Sequence, residues 1–248
     1  MMAVTWDTNV ISHHNFTNVC STHVSLVPIE PLVGFLRHPS FQLRYCTNPN
    51  NWEFITNKDY MFTSWAFEGH VNHLQQRFFL FDLGSGPGPG GSGQHWFTKV
   101  YRDRGIVFDR ILAWEAKVHK PELFWDTLPI EVHDIFSFYN VAVDPRPLAR
   151  DNPLRILRSL AKPHDFVVFK IDIDNSEVEE SLVNQILSDS TLSMRIDELY
   201  WEHHVSMSPM QYKGWGVHVD RHTNQTLAAS YGLFIELRKR GIRAHSWV

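Results

Sequence analysis

The stretch Arg77-Phe-Phe-Leu-Phe-Asp82-Leu-Gly84-Ser-Gly86-Pro-Gly88-Pro-Gly-Gly-Ser-Gly93 limits what this chain can fold into. Bulky apolar residues, Phe78 to Phe81, run without interruption into an aspartate, and a glycine-rich loop follows. A short aromatic run of this kind predicts a strand buried on both faces. The glycines predict sharp turns and a close approach that a Cβ would block. Gln94–Arg104 then carries Trp96, Phe97, Val100 and Tyr101 at helical spacing, with Gly105 as its stop. Buried strand, glycine loop and helix together form the ligand cradle of an open α/β sheet. A flexible interdomain linker has a similar composition, but such a linker does not follow directly on a buried strand.

The rest of the chain repeats the alternation. Asp109–Glu115 reads as a second strand ending in a carboxylate, and Lys120–Leu128 as a short helix. Ile135–Asp144 reads as a third strand and Leu154–Leu160 as a helix. Phe166–Phe169 is a fourth strand whose charges appear only at its carboxyl end. Ser176–Leu187 is an amphipathic helix, with Ser176 and Glu179 at capping-box spacing. Ile196–Val205 is a fifth strand ending in Glu202-His203-His204. Leu227–Arg240 reads as a helix and Ile242–Val248 as a last strand. This pattern predicts an α/β fold over residues 77–248: a Rossmann-like, doubly wound, mostly parallel sheet. Residues 1–76 hold few candidate strands and no long periodic helix, so they read as an N-terminal cap segment rather than an independent domain.

Composition narrows the partners. The net charge of −4 leaves no bulk basic field, which argues against nucleic acid as a partner. No apolar run is long enough for a transmembrane segment, and the first residues lack the pattern of a signal peptide. The default compartment is therefore cytoplasmic. The sequons at Asn15 and Asn224 would permit a secretory lumen if an N-terminal anchor preceded this chain. Cys20 and Cys46 are either two thiols or one disulfide within the first segment.

Two ligand classes use a glycine loop of this kind. Read from Gly86 or Gly88, the loop fits the dinucleotide fingerprint G-x-G-x-x-G. Read from Asp82, it is D-x-G-x-G-x-G, which resembles motif I of the S-adenosylmethionine (SAM)-dependent methyltransferases. A pyrophosphate needs backbone N–H donors, and Pro87 and Pro89 have none. The resemblance implies SAM as cofactor, held by Asp82, Gly84, Ser85, Gly86 and Gly88. Glu115, at the end of the second strand, is placed to accept hydrogen bonds from ribose hydroxyls. Lys170-Ile-Asp172-Ile-Asp174-Asn-Ser-Glu177 is similar to the K-I-D-x-E-G-x-E stretch of FkbM-type methyltransferases, with Asp174 for Glu and Asn175 for Gly. Asn175 keeps tolerance for a left-handed backbone. The resemblance spans roughly residues 77–248. It implies methylation of a small-molecule or glycan hydroxyl, with adenine beside Asn140 and Ala142.

Methyl transfer to a hydroxyl requires in-line positioning and removal of a proton. Asp172, His203 and His204 are the catalytic candidates. Adjacent strand residues face opposite ways, so His204, which shares a face with Glu202, is favoured as the base. Asp172, Asp174 and Glu202 could instead hold a hard divalent cation. Two other functions remain open. Asp172-x-Asp174 could serve a metal-dependent glycosyltransferase, and a degenerate domain could bind SAM as an interaction module.

Overall fold

The computed structural model describes residues 12–17, 24–29, 58, 61, 76–87, 93–205 and 225–247. Gly88, the rest of the glycine loop up to Ser92, both cysteines, most of the expected cap and the loop 206–224 lie outside the described residues. The chain divides into two compact units, Gly69–Trp201 and the combination of Met1–Glu68 with Glu202–Val248. In the latter, β1 (Ser12–Thr17) and β2 (Val24–Ile29) pair antiparallel, with His13 opposite Pro28. The two prolines near Val24 obscured this hairpin in the sequence.

The unit Gly69–Trp201 alternates strand and helix. Its elements are β3 (Phe78–Leu83), α1 (Gly93–Arg102), β4 (Arg110–Trp114), α2 (Pro121–Trp125), α3 (Ile130–His133), β5 (Phe136–Tyr139), α4 (Pro153–Leu160), β6 (Phe166–Ile171), α5 (Ser176–Ser188), α6 (Ser190–Ser193) and β7 (Glu198–Trp201). The strands lie in the order β5-β4-β3-β6-β7, and every neighbouring pair is parallel. Numbered by appearance within this unit, that order is 3-2-1-4-5, the Rossmann arrangement. β3 is central, and all six of its residues are buried. A strand with neighbours on both sides and cover on both faces must be apolar throughout, which is why Phe78–Phe81 stands out in the sequence.

Side-chain contacts place helices on opposite faces. Asp82, Lys170 and Tyr200 are register partners and share a face. On that face Phe97 of α1 meets Tyr200 at 4.9 Å between ring centroids, and the Tyr101 and Tyr200 hydroxyls lie 3.0 Å apart. On the other face, aromatic rings run across four strands. Tyr139 stacks on Trp114, Trp114 on Phe81 and Phe81 on Phe169, at 4.7, 6.1 and 5.3 Å. Glu179 of α5 reaches Trp201 on that side. The sheet is therefore doubly wound.

Three aspartates set the strand register at the amino edge. Each precedes a strand and latches a neighbouring strand start through two reciprocal bonds. The Asp109 N–H donates to Phe78 O at 2.8 Å while Asp109 Oδ2 accepts from Phe78 N at 2.7 Å. Asp197 does the same with Val167, at 3.0 and 2.8 Å. At the third, Phe166 N donates to Arg77 O, and Asp165 accepts from Arg77 N and from its guanidinium. A one-residue slip would break each latch as well as invert both faces.

Several boundaries differ from the sequence reading. The expected short helix Lys120–Leu128 is α2, which ends at Trp125, and a further short helix, α3, follows with Pro129 at its cap. The third strand ends at Tyr139, because Asn140 turns back to brace the preceding loop. Asn175, not Ser176, caps α5, accepting from Val178 N at 3.2 Å. The left-handed residue is Asp174, at φ 56°, whereas Asn175 is extended.

In the other unit, α7 (Leu227–Lys239) starts at Thr226, whose side chain accepts from Ala229 N. Arg238, buried, donates through Nε and Nη2 to the Ala244 carbonyl of β8 (Arg243–Ser246), tying helix to strand. Among the described residues no helix is long and apolar enough to cross a membrane.

The latches predict a pH response. Burial pushes the Asp197 carboxyl up to about 7, against the lowering effect of the Val167 N–H; Glu198 and Asp165 add to the rise. A folded-state value above the ordinary 3.8 means the folded chain holds the proton more tightly. The associated stability is complete below 3.8 and is lost as pH rises to about 7. Asp197→Asn keeps an acceptor for Val167 and removes the charge. The wild-type thermal midpoint should fall relative to the variant between pH 4.5 and 8, by on the order of 2–4 kcal/mol in stability terms. A constant difference between the two proteins across that range would contradict the assignment.

Candidate functional site

Strand order reverses between β3 and β6, so the crevice at their carboxyl ends is the topological switch point, where open α/β sheets bind ligands. A cavity of about 320 Å³ lies there. Gly84 and Gly86 line it after β3. Trp114, Glu115 and Ala116 follow from β4, Val141 to Val143 from the loop after β5, Asp172 to Asn175 from β6, and Val178 from the first turn of α5.

Gly84 is required by the backbone itself. Its φ is +83°, and a Cβ there would sit 1.4 Å from the Asp172 carbonyl oxygen. The loops after β3 and β6 thus touch main chain to main chain, and the Asp172 N–H donates to Leu83 O at 3.1 Å. The N–H groups of Gly84 and Ser85 both donate to Trp114 O, at 3.0 and 2.9 Å. These two loop amides are therefore committed to the fold, and Pro87 has none.

Beneath the cavity Lys170 is 1% exposed. Its Nζ lies 3.0 Å from Asp82 Oδ1 and 3.0 Å from Asp172 Oδ2, and donates to Gly84 O at 3.2 Å. The approach to Asp82 is poorly aligned for a hydrogen bond, so charge attraction carries that contact. Burial alone would lower the lysine pKa; Asp172 and Asp82 outweigh it and raise the value above 10.5. The ammonium therefore stays charged throughout the physiological range. It is lost, with the stability it confers, only above the ordinary lysine value.

Glu115 stands at the mouth. Its Oε1 accepts from Lys117 N at 2.7 Å, so that oxygen shapes its own turn. Asn140 donates to the carbonyls of Glu115 and Lys117, both at 2.8 Å, and accepts from His119 N at 3.2 Å. The cavity lining includes Glu115, Asp172 and Asp174 and no lysine, arginine or histidine among the described residues.

Of the residues picked from sequence, Gly84, Gly86, Glu115, Ala142 and Asp172 line the cavity. Asp82 and Ser85 are fully buried, Asp82 against Lys170, and Asn140 acts as a brace outside the lining. Glu202, His203 and His204 belong to the other unit. There, His204 Nε2 lies 3.3 Å from Glu202 Oε2, and His203 Nδ1 bonds Ser230 Oγ at 2.9 Å. Trp114, Ile173 and Val178 were not anticipated as lining residues. Trp114 reads as the apolar end of a strand, and Val178 lines the cavity only because Asn175 starts α5 beside it.

No protein-family model, no curated protein and no solved structure matches this chain.

Two substitutions test this geometry. Gly84→Ala should fall in the severe class, more than about 4 kcal/mol, because main chain must move; a folded variant with a near-native thermal midpoint would refute the close approach. Lys170→Met should cost about 3–5 kcal/mol, since it leaves buried Asp82 and half-buried Asp172 without their cation. Chemical denaturation at pH 7 measures it, and a loss below about 1 kcal/mol would mean the ion triad is not structural.

Proposed function

We propose that the cavity binds SAM and that the chain is a SAM-dependent methyltransferase acting on a small-molecule or glycan hydroxyl. The observation that carries this reading is the charge of the cavity: three carboxylates, no cationic side chain among the described residues, and a glycine loop whose first two amides are already bonded. A dinucleotide or a nucleotide sugar brings a pyrophosphate, which needs free amides or cations. SAM brings a sulfonium and a nucleoside, and no phosphate. The size also fits, since about 320 Å³ is at the small end of ligand pockets.

In this reading, Glu115 accepts from the ribose hydroxyls. Val141 and Ala142 provide the apolar wall for the adenine. Gly84 and Gly86 allow close approach of the methionine end. SAM when bound supplies an electrophilic methyl group, and the chain positions the acceptor and takes its proton. Asp172 is a weak candidate for that proton, because it is already paired with Lys170. The same Lys170 contact weighs against Asp172-x-Asp174 as a metal site for a glycosyltransferase.

Calorimetry with SAM, S-adenosylhomocysteine (SAH), NAD and a UDP-sugar is the direct test. SAM should bind, and Glu115→Ala should weaken it by about 1.5–3 kcal/mol. Binding of NAD or the UDP-sugar in place of SAM would overturn the reading.

A further inference from the structure

We propose that Trp114 reads the base of the bound nucleoside, its indole N–H donating to a ring nitrogen of adenine; the inference rests on the SAM reading. Trp114 and Trp201 are the largest fully buried side chains among the described residues. Both lie on the face of the sheet opposite Asp82 and Lys170. An indole N–H can only donate, and when buried it normally finds an acceptor. That of Trp201 meets Glu179 Oε2 at 3.1 Å. That of Trp114 is also buried and meets no acceptor among the described residues. A buried donor left unmatched is costly, so its presence requires a reason. The position supplies one, because Trp114 lines the cavity.

The packing of the ring limits how a ligand can meet it. Tyr139 of β5 lies nearly parallel to it, at 4.7 Å between centroids and 12°. Phe81 of β3 does the same at 6.1 Å and 11°. β4 runs between those two strands, so both faces of the indole are covered and no base can stack on it. What remains for the cavity is the ring edge, and Nε1 is the polar atom of that edge. The main chain is fixed, since Trp114 O accepts from the Gly84 and Ser85 amides. The ring therefore shifts within its stack to bring the N–H to the base while the backbone stays in place. Val141, Ala142, Val143 and Val178 share the lining, and none has a side-chain acceptor. The acceptor must come from the ligand, set in a flat apolar group, and adenine offers N1, N3 and N7.

The experiment titrates SAH, and analogues of it with C–H in place of N1, N3 or N7, into wild type and Trp114→Phe. The thermal midpoint checks that the variant folds; where it does not, Trp114→3-benzothienylalanine, which exchanges only the N–H for sulfur, replaces it. Wild type should bind SAH about 3- to 10-fold more tightly than the variant does, the range for one neutral hydrogen bond. It should lose a similar factor against one of the analogues, and the variant should bind that analogue as tightly as SAH. In isotope-labelled protein, the indole N–H resonance missing from the variant identifies Trp114, and in wild type it should move when SAH is added. If wild type binds SAH, the variant matches it within about twofold and the resonance stays put, the inference is wrong and the SAM reading stands. If the variant loses the same factor for SAH and for every analogue, Trp114 acts by packing alone and the inference falls. If wild type binds neither SAM nor SAH, both are wrong.

Discussion

The carboxyl end of the sheet depends on one buried ammonium. Lys170 sits on the strand beside Asp82 in register, and its Nζ reaches Asp82, Asp172 and the Gly84 carbonyl. A charge taken out of water is costly unless opposite charges and hydrogen bonds surround it. Here the compensation comes from both loops that form the cavity. The ion triad therefore does more than offset its own desolvation, because it holds the glycine loop against the loop after β6. Gly84 completes the arrangement, since no other residue lets the main chains come that close. The lysine and the glycine are interdependent: the contact needs a missing Cβ, and the missing Cβ leaves room that the triad keeps closed.

Much of this was legible in the sequence, for identifiable reasons. Central parallel strands are covered on both faces, so Phe78–Phe81 and Phe166–Phe169 stand out as apolar runs with charge confined to their ends. Once those strands are placed, α/β alternation dictates the crevice and brings Gly84, Glu115 and Asp172 to it. What could not be read was side-chain partnership. Glu179 has the spacing of a capping box, yet its carboxylate turns inward to Ile173 and Trp201, because Asn175 already serves as the cap. Asn140 sits where a ligand residue was expected and instead spans two carbonyls. Spacing along the chain cannot distinguish a polar side chain that meets a ligand from one that meets its own backbone. Both satisfy the same hydrogen-bonding requirement.

The chemistry of the cavity follows from which polar groups the fold has already used. Gly84 and Ser85 resemble a phosphate loop in sequence, but their amides close the turn onto Trp114. The glycine pattern alone was compatible with a dinucleotide or a nucleoside. Two of the loop's N–H groups are bonded to Trp114 O, and the described lining carries Glu115, Asp172 and Asp174. The two amides bonded to Trp114 are not available to a pyrophosphate.

Aspartate does opposite jobs at the two ends of the sheet. At the amino edge, Asp109, Asp165 and Asp197 each accept a backbone N–H from a neighbouring strand start, so their oxygens set register. At the carboxyl edge, Asp82, Asp172 and Asp174 surround one lysine and a cavity. Strand-end amides at the amino edge point outward without partners, and a carboxylate there meets a donor it can satisfy. At the carboxyl edge the strands end in carbonyls, which repel a carboxylate, and buried Asp82 stands there with Lys170 beside it. The parallel sheet thus imposes the difference. At its amino end Asp109 and Asp197 meet backbone donors, while at its carboxyl end Asp82 and Asp172 share Lys170.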